Sequence, residues 1–289
     1  MTAASSTKPP NSAFTVESLD GGAIALITIN RPDRRNALDP QSLAEMHRLL
    51  ETINGDPVVR AVVLTGAGSA FCSGADIKAS PQDFTDTTAT AQAALLATAS
   101  SATAVTLAAQ ELMASAFEKI HRLRQPVIAA VNGAAVGGGF ALALACDVRY
   151  ATPTATFGAV FIRHGVSACD MGTSYHLPRL VGASRSAELL LTGRVFSAQE
   201  ATSIGLILEV VDDDRVIDVA VSKAREIAAH SPLAVWMTKE TMWQTVDSPS
   251  LRHALDIENR TQVMCASTGD LGNSFAAFRD DKSHTWTPL

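Results

Sequence analysis

Little in this 289-residue chain points to a metal, a disulfide framework or a membrane. Its four cysteines, Cys72, Cys146, Cys169 and Cys265, are far apart. They form no CxxC pair and no Cys/His cluster of zinc spacing, so no metal site is expected. Free thiols in a reducing, cytoplasmic setting are the expectation. Every apolar stretch is broken by Gly, Asn, Arg or Asp well before the ~20 residues a bilayer span needs. The start, MTAASSTKPPNS, has no apolar core of a secretory signal, and residues 1–13 read as a disordered tail. A basic excess is missing too. Lys plus Arg is 23 against 29 Asp plus Glu, a net charge of −6. That argues against nucleic acid or an anionic membrane as the main partner. There is no internal repeat, no long charge run and no linker able to separate two independent domains.

Hydrophobic residues make up 47% of the chain and charged residues 18%, enough to bury a sizeable core. Residues 23–29 (AIALITI), 61–65 (AVVLT) and 127–131 (VIAAV) are short apolar runs closed by turn signals, and read as strands. Between the first two, Asp39-Pro40 supplies a helix cap and a proline at the first helical position. Leu43, Met46, Leu50 and Ile53 then fall on one face. Strands separated by helices suggest an α/β fold with parallel units. Residues 79–115 are rich in Ala and Thr and fit either a lid ending in a helix or a variable connection. The second half is mostly helical. Ser197 to Glu200 reads as a capping box, residues 214–230 as a helix, and further helices follow from Ser231-Pro232, at 250–267 and at 270–281. Residues 14–205 form the expected core, with 206–289 a helical region of the same fold.

The chemistry centres on residues 132–147, NGAAVGGGFALALACD, a strand, a glycine-rich turn and the start of an apolar helix. Three glycines in a row strip the helix start of Cβ atoms, so backbone N–H groups can approach a ligand oxygen. The helix dipole adds positive character there. The spacing is neither G-x-G-x-x-G nor a Walker loop. A second bare stretch, Ser73-Gly74-Ala75, follows the AVVLT strand. One N–H from each loop would make an oxyanion hole for a carbonyl oxygen, each donor being worth ~3 kcal/mol. A purely structural glycine turn is the alternative for the first segment.

These segments resemble the crotonase, or enoyl-CoA hydratase/isomerase, superfamily. The resemblance runs from about residue 14 to the C-terminus. It takes in INRPDRRNALD (29–39), VVLTGAGSAFCSGADIK (62–78), RQPVIAAVNGAAVGGGFALALACDVRYA (124–151), LPRLVGASRSAELLLTGRVFSAQEA (177–201) and AAFRDDK (276–282). It implies a spiral of ββα turns with a helical C-terminal region used in trimerisation, so a homotrimer or a dimer of trimers. It implies an acyl-CoA substrate and no cofactor beyond the coenzyme A of that thioester. The N–H groups of Ala75 and Gly138 would then hold the thioester oxygen. Arg35 and Ala37, with Ile77 and Lys78, match the family's strip along the CoA nucleotide. Lys282 matches a basic position that approaches the CoA phosphates from a neighbouring subunit.

The departures from the family carry as much information. Hydratases of this family carry a glutamate in GGG-x-E and another in FG-x-P-E. This chain has Ala141 and Phe161 there, and neither side chain can move a proton. One acid remains nearby. Asp170 lies where dienoyl-CoA isomerases have an A-A-D-x-G-T pattern. It also begins the D-x-x-T-S-Y-x-L-x-R-x-V-G of the chlorobenzoyl-CoA dehalogenase. The dehalogenase needs a histidine where this chain has Ala114, the nearest being His121, so that reading loses its base. Asp170 is either the proton carrier or a helix N-cap.

Other candidates read more simply. His164 fits a packed surface histidine or else a second acid/base, Cys169 a small buried hydrophobe, and Asp76 and Asp147 loop organisers. Glu111 and Glu118 are helical and exposed by default, although Glu111 could stand in for a missing carboxylate. The favoured function is hydration or isomerisation of an enoyl-CoA through an enolate. The alternatives are a non-catalytic acyl-CoA binder, or a thioesterase or decarboxylase on the same scaffold.

Overall fold

A computed structural model of the chain describes residues 12–79 and 90–289. Two sheets organise it. The larger has six strands in the order β1 (Phe14–Leu19), β2 (Ile24–Ile29), β3 (Ala61–Gly66), β5 (Val127–Val131), β7 (Val148–Ala151) and β10 (Glu209–Val210). The smaller has β4 (Ala70–Cys72), β6 (Ala134–Val136), β8 (Thr156–Gly158) and β9 (Phe196–Ser197). From β3 onward the chain lays one strand in the large sheet, the next in the small one, and then turns into helix. Three such turns stack in parallel, β3 on β5 on β7 and β4 on β6 on β8, which is a spiral of ββα units. β1 and β2 pair antiparallel instead, because only residues 20–23 join them and a parallel crossover needs a dozen or more. Gly21 and Gly22, at φ +69° and +102°, make that reversal.

Alternation along the large sheet explains why its strands read as continuous apolar runs. Val62 and Leu64 of β3 and Val127, Ala129 and Val131 of β5 face the main core. Ala61, Val63, Ile128 and Ala130 face the other side, against Val216, Ala220, Val221 and Ala224 of α8 (Val216–Ala228). With both faces covered, no position on these strands needs to be polar. The helix α1 (Pro40–Gly55) starts as expected, with Ser42 N–H donating to Asp39 Oδ1 at 2.7 Å, and buries Leu43, Met46, Leu50 and Ile53. Of the Ala- and Thr-rich segment, residues 80–89, Phe84 included, lie outside the described residues. The rest forms α2 (Ala91–Thr98) and α3 (Ala102–Arg122).

Two local expectations need correction. Ser197 caps α7 (Ala198–Ser203) through Glu200 N–H at 3.2 Å, but the reciprocal half of the box is absent. Glu200 turns instead to Arg194, whose guanidinium it shares with Glu188. Cys169 is exposed rather than buried, since it sits on the outer side of the turn before α5 (Thr173–Val181). Cys72 and Cys146 are buried, and burial pushes both thiols up to about 12, which removes them as nucleophiles.

After α6 (Ala183–Thr192), α7 and α8, the chain ends in α9 (Pro232–Thr245), α10 (Leu251–Ala266) and α11 (Asp270–Arg279). Lys239 of α9 reaches Asp147 at 2.8 Å and Gln125 O at 3.2 Å, both beside the start of β5. Asp147 also accepts from Val127 N–H at 2.8 Å, so it organises this junction, as expected. By contrast α10 buries no residue at all, and α10 and α11 expose Leu251, Val263, Phe275 and Phe278. None of the described helices is long and apolar enough to cross a membrane.

Candidate active site

The two glycine-bearing loops meet because the strands that feed them are neighbours. β4 and β6 pair in parallel, so their C-terminal ends lie side by side. Ser73-Gly74-Ala75 leaves one end. Gly137 and the start of α4 (Gly138–Ala145) leave the other. Gly74 has φ +93°, and a Cβ on it would stand 2.9 Å from Gly138 N and 3.1 Å from Val136 O. Only glycine admits that approach of one loop to the other's amide.

Both candidate donors are free among the described residues. Gly138 is the first residue of α4, so its N–H has no acceptor inside the helix; Phe140 and Ala141 N–H take Gly137 O at 3.0 and 3.1 Å. Leu38 straddles Ala75, donating to Gly74 O and accepting from Asp76 N–H, each at 2.8 Å. In a parallel bridge of this kind the straddled residue turns its own N–H away from the partner strand. Every residue of α4 is buried, so its N-terminal partial charge acts in a low-dielectric setting.

Polar side chains hold these loops. Asn36 is fully buried, with Nδ2 donating to Ala67 O and Ala70 O at 2.9 and 2.7 Å and Oδ1 accepting from Arg31 N–H at 2.9 Å. Arg31 in turn pairs with Asp39 at 2.6 Å and Asp76 at 3.3 Å. Asp76 is therefore a loop organiser, as expected. Along this strip Arg35, at φ +51°, and Lys78 are exposed, and Ile77 is 88% exposed. Ala37 is buried, with its N–H on Arg34 O at 3.0 Å and its carbonyl taken by Arg31. Lys282 follows α11 and pairs with Asp280 at 3.3 Å.

Asp170 joins the site through its neighbour. The Met171 sulfur and methyl carbon lie 3.6 Å from where a Gly138 Cβ would be. Met171 is buried and left-handed at φ +47°, an uncommon conformation for a large side chain, of a kind found at functional sites. The Asp170 carboxylate accepts through Oδ1 from Met171 N–H at 2.7 Å and from the Gln110 side-chain amide of α3. It does not cap α5. Gly172 is the N-cap residue, and Thr173 N–H goes to the Asp170 backbone oxygen at 2.8 Å, so the capping alternative is corrected. The chain bends left-handed at two residues in succession, which carries the Asp170 side chain past the helix start.

Of the two positions where the resemblance expects glutamate, Phe161 borders this place. Ala141 is fully buried in α4, and the Phe161 ring edge lies 3.9 Å from where a Gly137 Cβ would be. His164 is exposed on the turn Val160–His164, and Glu111 and Glu118 are exposed on α3, Glu118 pairing with Arg122. His176 packs against Gly172, but burial, with the charges of His121, Arg149 and Arg179, pushes it down to about 3. An imidazole of that kind is a poor proton acceptor near neutral pH. Among the described residues its buried Nδ1 has no hydrogen-bond partner, and its ring meets those of His121 and Trp243, forming an aromatic wall behind the turn.

The sequence profile of the enoyl-CoA hydratase/isomerase family matches residues 20–288. The chain belongs to the enoyl-CoA hydratase/isomerase family. It is 42% identical over 243 residues to the probable enoyl-CoA hydratase echA12 of Mycobacterium leprae, covering 84% of this chain and 79% of that one. The crystal structure of enoyl-CoA hydratase from Bacillus anthracis superposes with a TM-score of 0.83 at 32% identity, covering 95% of this chain and 98% of the other. A monofunctional enoyl-CoA isomerase from Mycobacterium smegmatis superposes with a TM-score of 0.67 at 35% identity, covering 85% and 99%. The spiral of ββα turns is the crotonase fold of this family, and the chain is an enzyme of the hydratase/isomerase type.

Sequence reasoning singled out the two loops and Asp170 but missed Gln110, Met171 and His176. Asp-Met-Gly before a helix hinted at a left-handed turn. Nothing local tied Gln110, sixty residues upstream, to Asp170.

Proposed function

We propose that this enzyme acts on an enoyl-CoA thioester, holds the thioester oxygen on the N–H groups of Ala75 and Gly138, and moves the double bond by proton transfer through Asp170. The observation that carries this reading is the meeting of two unpaired backbone donors with a turn that bears a carboxylate. The Asp170 carboxylate takes a proton from the α carbon of a β,γ-unsaturated thioester. The electron pair left behind forms a double bond between the α carbon and the thioester carbon as the C=O π pair moves onto the oxygen, giving a dienolate with the β,γ double bond still in place. That oxygen's negative charge rests on the two N–H groups and the α4 terminus. Asp170 then returns the proton to the γ carbon: the β,γ π pair takes it, the α carbon's π pair becomes the α,β double bond, and the oxygen's pair re-forms the C=O bond. One carboxylate serves both transfers, which suits a chain with Ala141 and Phe161 where hydratases hold glutamates. Hydration would need a further group to activate water. The names of the hydratase relatives favour hydration as the second reading.

The test is an assay of β,γ- and α,β-unsaturated and dienoyl-CoA thioesters, with Gly138→Val alongside the wild type. Double-bond shift is the expected product. Gly138→Val should abolish it, because a branched Cβ occupies the oxygen's approach to the N–H. Gly138→Ala adds one carbon, 3.3 Å from Gly74 Cα, and should lose less. A hydrated product would favour the second reading. Free CoA, loss of CO2, or tight binding with no turnover would overturn both in favour of the thioesterase, decarboxylase or binder. Unchanged kinetics in folded Gly138→Val would remove the oxyanion assignment.

The exposed groups of the 35–37 and 77–78 segments are proposed to line the CoA nucleotide, with Lys282 reaching it from a neighbour. The unburied helix α10 and the exposed Phe275 and Phe278 support assembly as a trimer or dimer of trimers. Light scattering at micromolar concentration should give a trimeric or hexameric mass, and a monomeric mass would contradict it.

A further inference from the structure

The geometry points to Gln110 as a positioning residue that, together with Met171 N–H, holds the Asp170 carboxylate so that Oδ2 carries the proton. This rests on the proposed role of Asp170 and adds a residue to it. Gln110 is exposed on α3, between the buried packing positions Ala108 and Leu112. Its side-chain amide nevertheless reaches across to Asp170 Oδ1. Ordering an exposed glutamine costs side-chain entropy. A charge-assisted hydrogen bond to a carboxylate can offset that, where a neutral contact would not.

The two donors to this carboxylate go to the same atom. Met171 N–H donates to Oδ1 at 2.7 Å, and the Gln110 amide donates to Oδ1 as well. Among the described residues Oδ2 has no donor. An oxygen already accepting two N–H bonds is a poor place for a proton, since the added hydrogen would face donors rather than acceptors. The proton taken from substrate therefore resides on Oδ2. Met171 N–H alone would fix one oxygen but leave the carboxyl plane to swing about its Cβ–Cγ bond. The second donor, coming from a different element, holds that plane. Gln110 touches no reacting atom in this scheme, and it works only through Asp170.

The experiment is a double-mutant cycle on turnover of a β,γ-unsaturated thioester, with vinylacetyl-CoA as the probe. Gln110→Leu keeps a helix-forming side chain, one atom shorter, and removes the donor. It should lower kcat about ten-fold, a part of the ~10²–10⁴ that general acid–base catalysis supplies. KM should stay within about two-fold, because this side chain adds nothing to ground-state binding. The melting temperature should not move, since no packing is lost. Gln110→Glu should fall at least as far, because it presents an acceptor to an acceptor. In the Asp170→Asn background, adding Gln110→Leu should cost less than about two-fold, since the group it positions is gone. Losses that multiply in the double variant, a rise in KM with kcat unchanged, or wild-type kinetics in Gln110→Leu would each overturn the inference. The parent reading fails separately: full turnover in Asp170→Asn alone removes Asp170 as the proton carrier and this inference with it. A slow Asp170→Asn beside a wild-type Gln110→Leu removes only the positioning role.

Discussion

Replacing Asp170 with asparagine should slow turnover by about 100-fold or more while leaving the protein folded and able to bind the CoA thioester. Asparagine keeps the size of the side chain and an Oδ1 acceptor. Met171 N–H and the Gln110 amide therefore retain their partner, and the left-handed turn keeps its shape. What is lost is the ability to take and return a proton. A capping role would have predicted no loss, but the cap of α5 is Gly172, so stability does not depend on this carboxylate in that way. Steady-state kinetics, thermal melting and calorimetric binding of the thioester, measured on one preparation, separate the two effects. Turnover at the wild-type rate would make Asp170 structural. The proton would then belong to another group, and the exposed His164 and Glu111 are the next to substitute.

Gly139→Ala should cost more than ~3 kcal/mol of stability, at the upper end of what overpacking a core usually costs. The reason is spatial. Gly139 has no left-handed φ, but a Cβ there would overlap the Cys72 carbonyl oxygen and lie 2.5 Å from its carbon. Those atoms are backbone at the end of β4, so no rotamer change relieves the contact. Either α4 lifts away from β4 or the strand shifts. Both moves separate Gly138 N–H from Ala75 N–H, because Gly74 and Gly138 are held together by that seating. With total stability of ~5–15 kcal/mol expected for a domain, a loss of this size is severe. The melting temperature should drop by ~5 °C or more, and any folded remainder should bind thioester poorly. Melting followed by circular dichroism checks the first point, and calorimetry on the folded fraction the second. A Gly139→Ala protein with unaltered melting would mean that the two loops can adjust independently.

Glycines thus do different work within one short motif. Gly137 turns the chain at φ +56°, Gly138 leaves a donor bare, and Gly139 lets a helix seat on a strand. The sequence shows three identical letters. Their separate roles depend on what lies opposite each Cβ position: the end of β4 for Gly139, and Gly74 with Met171 for Gly138.

Much of the local structure was legible because its causes are local. The Asp39-Pro40 cap of α1 depends on atoms three residues apart, and the strands β2, β3 and β5 announce themselves through apolar runs closed by turn signals. The antiparallel start, β1 on β2, was not anticipated as such, since β1 carries Glu17 and Ser18 on an edge and reads weakly. The reading of Asp170 as a cap failed for a related reason. Cap signals describe a chain entering a helix from extended backbone, and here two left-handed residues intervene.

By itself, then, the sequence determined the fold class, the family and the two loops able to bare their amides. Those follow from spacing, from glycine's missing Cβ and from apolar alternation, all of which act over a few residues. Only the tertiary structure decided that the Ala75 and Gly138 loops face each other, because strand pairing between β4 and β6 joins segments some sixty residues apart. It also decided that Gln110 holds Asp170 and that α10 and α11 carry an uncovered apolar face. Such contacts are set by how helices pack across the spiral, and no local pattern encodes that distance.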